Sequence, residues 1–354
     1  MKRFYILAAL LTAAVGAMAC TSMIVTARAS ASGRPLLWKH RDTGADNNFL
    51  ARVEATDSTY AYVGLFNAGD SLRAEAWMGM NERGFAIMNT ASYNLAPDTA
   101  QYKDREAEVM SQALARCTTV ADFERLLSER PHPMGVQANF GVIDASGGAA
   151  YFEAWDDGFN RFDVEDEPTG VMIRTNYSVS GADGKGYGYI RYATAERLTA
   201  DAVAAHAVTP MLFTETLSRS FYHGLTGHDY LAEGERYVAD YDFIPRDIST
   251  SSIVVEGMAD VKDAADMRMW AILGYPPCSP VELVTLDSIP EQLQPSGAGL
   301  LSEACDSAMK LRRTANPFEG GNGRHYLDLN VLRPIIERMH EQSMKVYEKN
   351  YRAL

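Results

Sequence analysis

The chain has 354 residues, of which 47% are hydrophobic and 22% charged, a globular balance that excludes disorder, collagen or a coiled coil as a description of the whole. Its 46 acidic and 33 basic residues give a formal charge of -13, which repels phosphate backbones and excludes a general nucleic-acid role. Lys2 and Arg3 open the chain, and residues 4–19 (FYILAALLTAAVGAMA) form an apolar run. Ala17 and Ala19 set an A-x-A pattern before Cys20, so residues 1–19 read as a signal peptide. The run is too short and wrongly flanked for a membrane span, and no other uninterrupted stretch near 20 apolar residues follows. The expected mature chain, 20–354, is one soluble exported domain, periplasmic or secreted, with a helical C-terminal segment from about residue 300. Only Lys2 and Arg3 leave with the leader, so its charge is -15.

Strands are expected at 20–28, 35–42, 60–67, 73–80 and 84–93, then helices at 104–116 and 120–129. Residues 137–157 form a hairpin turning at Gly147-Gly148. Helices follow at 188–204 and 209–221, strands at 250–257, 267–274 and 280–286, and helices at 302–313 and 328–350. The last helix carries an apolar stripe of Leu329, Leu332, Ile335, Ile336, Met339 and Met344. Hairpins with helices in separate blocks predict antiparallel sheets and an α+β architecture. Glycine-rich 181–189 reads as a flexible loop, and Trp38, Trp77 and Trp155 as core or pocket walls.

Cleavage after Ala19 leaves Cys20 first in the mature chain. Such a cysteine joins a thiol of pKa about 8.5 to an α-amine of pKa about 8, so nucleophile and base are one residue. The arrangement needs a carboxylate to orient the ammonium, a cation for the thiolate and two donors for the oxyanion. Strand PLLWKHRD, 35–42, returns antiparallel after the SASGR turn and brings Lys39, Arg41 and Asp42 toward Cys20. The rival reading is a lipid-anchored binding protein with Cys20 acylated. Against it, Ala17 and Met18 match a lipoprotein signal poorly, and Cys20 runs directly into a strand.

The opening CTSMIVTARASASGRPLLWKHRD resembles the cysteine N-terminal-nucleophile (Ntn) amidases, which include choloylglycine hydrolases, penicillin V acylases, acid ceramidase-like amidases and isopenicillin N acyltransferases. The resemblance makes Asp42 the carboxylate near the nucleophile's amine and Lys39 the cation, with Arg41 as its rival. GMNERGFAIMNTASYN, 79–94, resembles the hairpin before an oxyanion donor, which makes Asn89 one donor. GVMIRTNYS, 170–178, resembles the strand ending in Thr-Asn, which makes Asn176 the other. In 243–258 the position of the family's further arginine in bile salt hydrolases falls near Ile253, so the chain departs from that branch toward the acyltransferase-like one. The implied fold is a four-layer αββα sandwich of two antiparallel sheets between helices. The implied activity is hydrolysis of a linear, non-peptide amide of a small acyl-amide substrate, with an acyltransferase or dipeptidase as alternatives.

The N-terminal-cysteine chemistry needs no metal or organic cofactor, and His223, His228 and Asp229 lack a matching third ligand for a metal site. Of the remaining cysteines, Cys117, Cys278 and Cys305, at most two pair, and Cys278–Cys305 is the expected disulfide. The acyl group and the oligomeric state stay open.

Overall fold

The computed structural model describes residues 19–96, 103–258, 266–319 and 325–351. Apart from Ala19, the leader read at 1–19 lies outside them. The chain runs β1 (Thr21–Val25), β2 (Leu36–Asp42), β3 (Asn48–Val53), β4 (Tyr62–Asn67), β5 (Met78–Asn81), β6 (Ala86–Ala91), α1 (Glu106–Arg116) and α2 (Val120–Ser128). Then come β7 (Ala138–Ile143), β8 (Ala149–Trp155), β9 (Gly158–Asp163), β10 (Val171–Arg174) and α3 (Tyr189–Ala204). Short strands β11 (Tyr222–His223), β12 (His228–Asp229) and β13 (Tyr237–Val238) precede β14 (Ser249–Glu256), β15 (Arg268–Leu273) and β16 (Glu282–Val284). The chain closes with α4 (Glu303–Thr314), β17 (Phe318–Glu319), β18 (His325–Asp328) and α5 (Leu329–Asn350).

Two antiparallel sheets carry the fold. One is ordered β10-β1-β2-β14-β15-β16, the other β3-β4-β5-β6-β7-β8-β9. In β1, Met23 and Val25 point to one face, where they join Trp38, Phe213, Val254, Trp270, Ile272 and Tyr347 in a core beneath α3 and α5. Ile24 points to the other face and packs with Leu37, Ile253, Met88, Phe140 and Tyr151 between the sheets. Helix α1 puts Val109, Met110, Ala113 and Leu114 into that same cluster, on the far side of the second sheet. The layers are therefore helix, sheet, sheet, helix, as the sequence predicts. No helix among the described residues is long and apolar enough to cross a membrane.

Two expected elements change. Strand 73–80 shrinks to Met78–Asn81, because the Asp70 carboxylate accepts from the N–H groups of Ala74 and Glu75 and turns the chain there. Helix 209–221 becomes a wide π turn over Leu212–Thr216 and a tight turn over Leu217–Arg219. The Ser218 hydroxyl bonds back to Phe213 O, five residues earlier, at 2.7 Å, and competes with the regular helical ladder. The loop 181–189 is bridged to the end of β10 at Tyr187, with Asn176 N donating to Tyr187 O and Tyr187 N donating to Asn176 O at 3.2 and 3.1 Å.

Candidate active site

Cys20 stands at the head of β1, which is paired with β10 on one side and β2 on the other. Thr21 faces His40 in the ladder, so extending the register sets Cys20 opposite Arg41 and Ala19 opposite Asp42. Alternation along β1 then sorts the site onto two faces. Ser22 shares a hydrogen bond of 3.0 Å with Tyr151 Oη between the sheets, while Thr21 receives one of 2.8 Å from Arg191 Nη1 of α3. Cys20 follows Ser22 toward the inter-sheet space, is buried, and directs its Sγ at Asp42 O, 3.9 Å away.

On this inner face sit the two cations that sequence could not separate. Lys39 Nζ donates to Trp77 O and to Asn89 Oδ1, both at 2.7 Å. Arg41 stacks over the Trp77 ring, 4.8 Å from its centroid, and donates from Nη2 to Asn67 Oδ1 at 2.8 Å. Both side chains are buried, and among the described residues neither has a carboxylate within ion-pair distance. Burial pushes Lys39 down to about 7, the nearby Cys20 thiol working against this, and Arg41 down to about 10. Asn89 belongs to the same cluster. Because its Oδ1 accepts from Lys39, its Nδ2 is the end left to donate.

The outer face holds Asp42, whose Oδ1 accepts from Ser249 Oγ at 2.6 Å and lies 3.7 Å from His40 Nε2. Its Oδ2 is buried without a hydrogen-bond partner, and Arg246 Nε stands off at 3.8 Å. Burial raises the Asp42 carboxyl to about 7 against the pull of Arg246 and Arg191. His40 is held neutral, pushed down to about 3 by burial first and then by the same two arginines. Arg191 ties this face together. It donates to Cys20 O at 2.5 Å, Thr21 Oγ1 at 2.8 Å and Asn176 Oδ1 at 2.7 Å. With Oδ1 so held, Asn176 Nδ2 donates to Ala91 O at 2.9 Å. Gly188, at φ +91°, makes the reach possible, since a Cβ there would lie 2.6 Å from Arg191 Nη2.

The structure thus brings Cys20, Lys39, Arg41, Asp42, Asn89 and Asn176 to one end of the first sheet. Sequence reasoning missed Arg191, Arg246 and Ser249. Arg246 and Ser249 lie inside the stretch 243–258, whereas Ile253, seven residues past Arg246, is buried between the sheets. Arg191 gave no signal beyond an arginine near the start of a helix. The expected Cys278–Cys305 disulfide is corrected: all four cysteines are free. Cys305 packs with the inter-sheet core and donates to Asp46 O at 3.3 Å, while Cys278 belongs to a separate cluster around Tyr275 and Leu327. No three His, Cys, Asp or Glu side chains among the described residues converge as a metal would require.

No family model and no curated protein matches the chain. Among solved structures it is similar to a conjugated bile acid hydrolase from Clostridium perfringens, at 13% identity and a TM-score of 0.47 over 76% of this chain and 92% of that one. It is also similar to the Caenorhabditis elegans N-acylethanolamine-hydrolyzing acid amidase ortholog, at 12% identity and a TM-score of 0.41 over 70% and 96%. A third is the penicillin V acylase of Agrobacterium tumefaciens, at 12% and 0.38 over 76% and 87%.

Proposed function

We propose that the chain is an exported amidase of the cysteine Ntn kind, cleaving a linear amide of an N-acyl substrate once residues 1–19 are removed. One observation carries this reading. A buried carboxylate, Asp42, keeps one oxygen unpartnered at the register position opposite the Ala19–Cys20 junction. A buried carboxylate oxygen without a hydrogen bond is costly even with Arg246 Nε standing 3.8 Å off, and cleavage at that junction creates an ammonium to meet it.

In the cycle, the Cys20 thiol attacks the amide carbonyl and its proton passes to the α-amine. The Nδ2 groups of Asn176 and Asn89 donate to the oxyanion, and Lys39 supports the sulfur. The ammonium then protonates the leaving amine as the C–N bond breaks, which leaves a thioester on Sγ. Water, deprotonated by the amine, attacks the thioester, releases the carboxylic acid and restores the thiol. Asp42 orients the ammonium, and Arg191 orients Asn176 and Cys20 O. The burial of Cys20 on the inner face also disfavours a lipid-anchor role, because a diacylglyceryl group on Sγ would have to enter the inter-sheet core.

The test combines intact mass with turnover. The mature protein should begin at an unmodified Cys20 and hydrolyse members of an N-acyl amide panel. A correctly processed Cys20→Ser variant should lose that hydrolysis. Acylated Cys20, or full activity in the serine variant, overturns the proposal.

A further inference from the structure

Four arginines among the described residues are buried, and three of them are compensated. Arg174 pairs with Glu153 at 2.8 Å, Arg219 pairs with Glu215, and Arg191 fills its guanidinium with three oxygen acceptors. Arg41 is the exception. Its Nε and Nη1 have no hydrogen-bond partner among the described residues, and no carboxylate lies within ion-pair distance. Its neighbours are equally unfinished. Ser251, its cross-strand partner on β14, has an unpartnered Oγ, and Trp77, beneath its guanidinium, has an unpartnered Nε1. Thr250 Oγ1 and Asn48 Oδ1 are unpartnered too, with Asn48 Nδ2 bonded to Thr250 O at 3.2 Å. Asn48 Oδ1 is the only obligate acceptor in this set; the guanidinium and indole groups donate, and the hydroxyls can.

Such a set of buried donors around a permanent cation is a receptor for an anion. The Cys20 thiolate can balance one of the two inner-face cations. Lys39, held down to about 7, can also release its proton, whereas a guanidinium stays charged. Arg41 therefore calls for an anion from outside the chain.

We infer that Arg41, with Trp77 Nε1 and Ser251 Oγ, forms an anion subsite beside Cys20, and that the amide cleaved there carries a carboxylate or similar small anionic group near its scissile bond. The inference rests on the amidase reading above. The anion sits either on the amine side, as in an N-acyl amino acid, or on the acyl side, as in a dicarboxylic acid monoamide.

Two matched substrate pairs decide between the sides. N-hexanoylglycine against N-hexanoylethanolamine varies charge on the amine side, and glutaryl against pentanoyl p-nitroanilide varies it on the acyl side. For the mature protein, one pair should favour its anionic member in kcat/KM by about 10–100-fold, the range of a charge-assisted hydrogen bond. In Arg41→Gln that ratio should collapse toward one, and Arg41→Lys should retain part of it. The subsite is refuted if neither pair favours the anion. It is also refuted if Arg41→Gln, folded by circular dichroism, lowers both members equally, which is what support of the thiolate alone would produce. Calorimetric titration of glutarate and N-acetylglycine into Cys20→Ala and Cys20→Ala/Arg41→Gln separates this inference from its premise. If no amide is turned over, the amidase reading falls, yet binding lost with Arg41 sustains the subsite; absence of binding removes both.

Discussion

Lys39→Met gives the sharpest physical test of the inner face, because its effect on stability should change sign with pH. In the folded chain Lys39 is pushed from its ordinary 10.5 to about 7, mainly by burial. Well below pH 7 the ammonium is charged in both states, and the difference of about 3.5 pKa units corresponds to about 5 kcal/mol of destabilisation. Methionine fills a similar volume without that charge. It also strips the donor from Trp77 O and Asn89 Oδ1, which costs about 1–2 kcal/mol for each acceptor. The variant should therefore be about 1–3 kcal/mol more stable than the parent at pH 6. Between pH 7 and 10.5 the folded parent holds a neutral amine while the unfolded chain still binds the proton, so the penalty fades as pH rises. Near pH 10 only about 1 kcal/mol of that penalty is left against the lost hydrogen bonds, and the variant should be about 1–3 kcal/mol less stable. Urea midpoints from pH 6 to 10 read this directly, and amide hydrolysis should drop at every pH. Stability curves for parent and variant that run parallel across the range would refute the reasoning.

His40 and Asp42 should give opposite slopes. His40, at about 3 when folded, binds its proton only in the unfolded chain between pH 6.5 and 3, so its contribution to stability is lost as pH falls through that window. Asp42, raised to about 7, binds its proton first in the folded chain, so stability rises as pH falls from 7 to about 4. In the unprocessed chain, acid titration of stability should be shallower in His40→Gln and steeper in Asp42→Asn; slopes that do not separate would sink this pairing. Gly188→Ala puts a Cβ against Arg191 Nη2 and Thr175, so hydrolysis should fall about 10–100-fold with the far-ultraviolet spectrum kept. Retained turnover would show that Arg191 does not position Asn176. Thr119 and Asp122 form a reciprocal cap on α2, remote from the site, so Thr119→Ala should lower stability by about 1 kcal/mol and leave turnover unchanged, as thermal melts and rates would show.

The strands around the candidate site were legible because they obey local rules. Strand β1 alternates cleanly, the SASGR turn forces β2 back on it, and Gly147 at φ +92° makes the β7–β8 turn where the glycine pair stands. Strand β9 was not legible, because at the sheet edge its residues GFNRFD are half-exposed or exposed and carry no apolar period. Strand β3 was hidden for another reason: Phe49, Leu50 and Ala51 are consecutive and all buried, so no two-residue rhythm appears. Within the site, Cys20, Lys39 and Asp42 could be found because one hairpin joins them. Arg191 lies 171 residues from Cys20, and its three bonds exist only after α3 docks on the first sheet. The free state of Cys278 and Cys305 follows from their separate cores, a fact of tertiary placement that cysteine counting does not contain.

A chain end ordinarily frays, and a reagent attached to one wanders through many orientations. Strand β1 is laced on both edges, by Thr21–His40 through Val25–Leu36 and by Ser22–Arg174 through Val25–Val171. A terminus created at Cys20 would thus be as ordered as an interior residue, and its amine and thiol would act at the high effective molarity of a preset pair. The same rigidity makes the end unforgiving of length. One surplus residue before Cys20 would convert the base into an amide nitrogen, so recombinant forms should be compared only after their first residue has been identified.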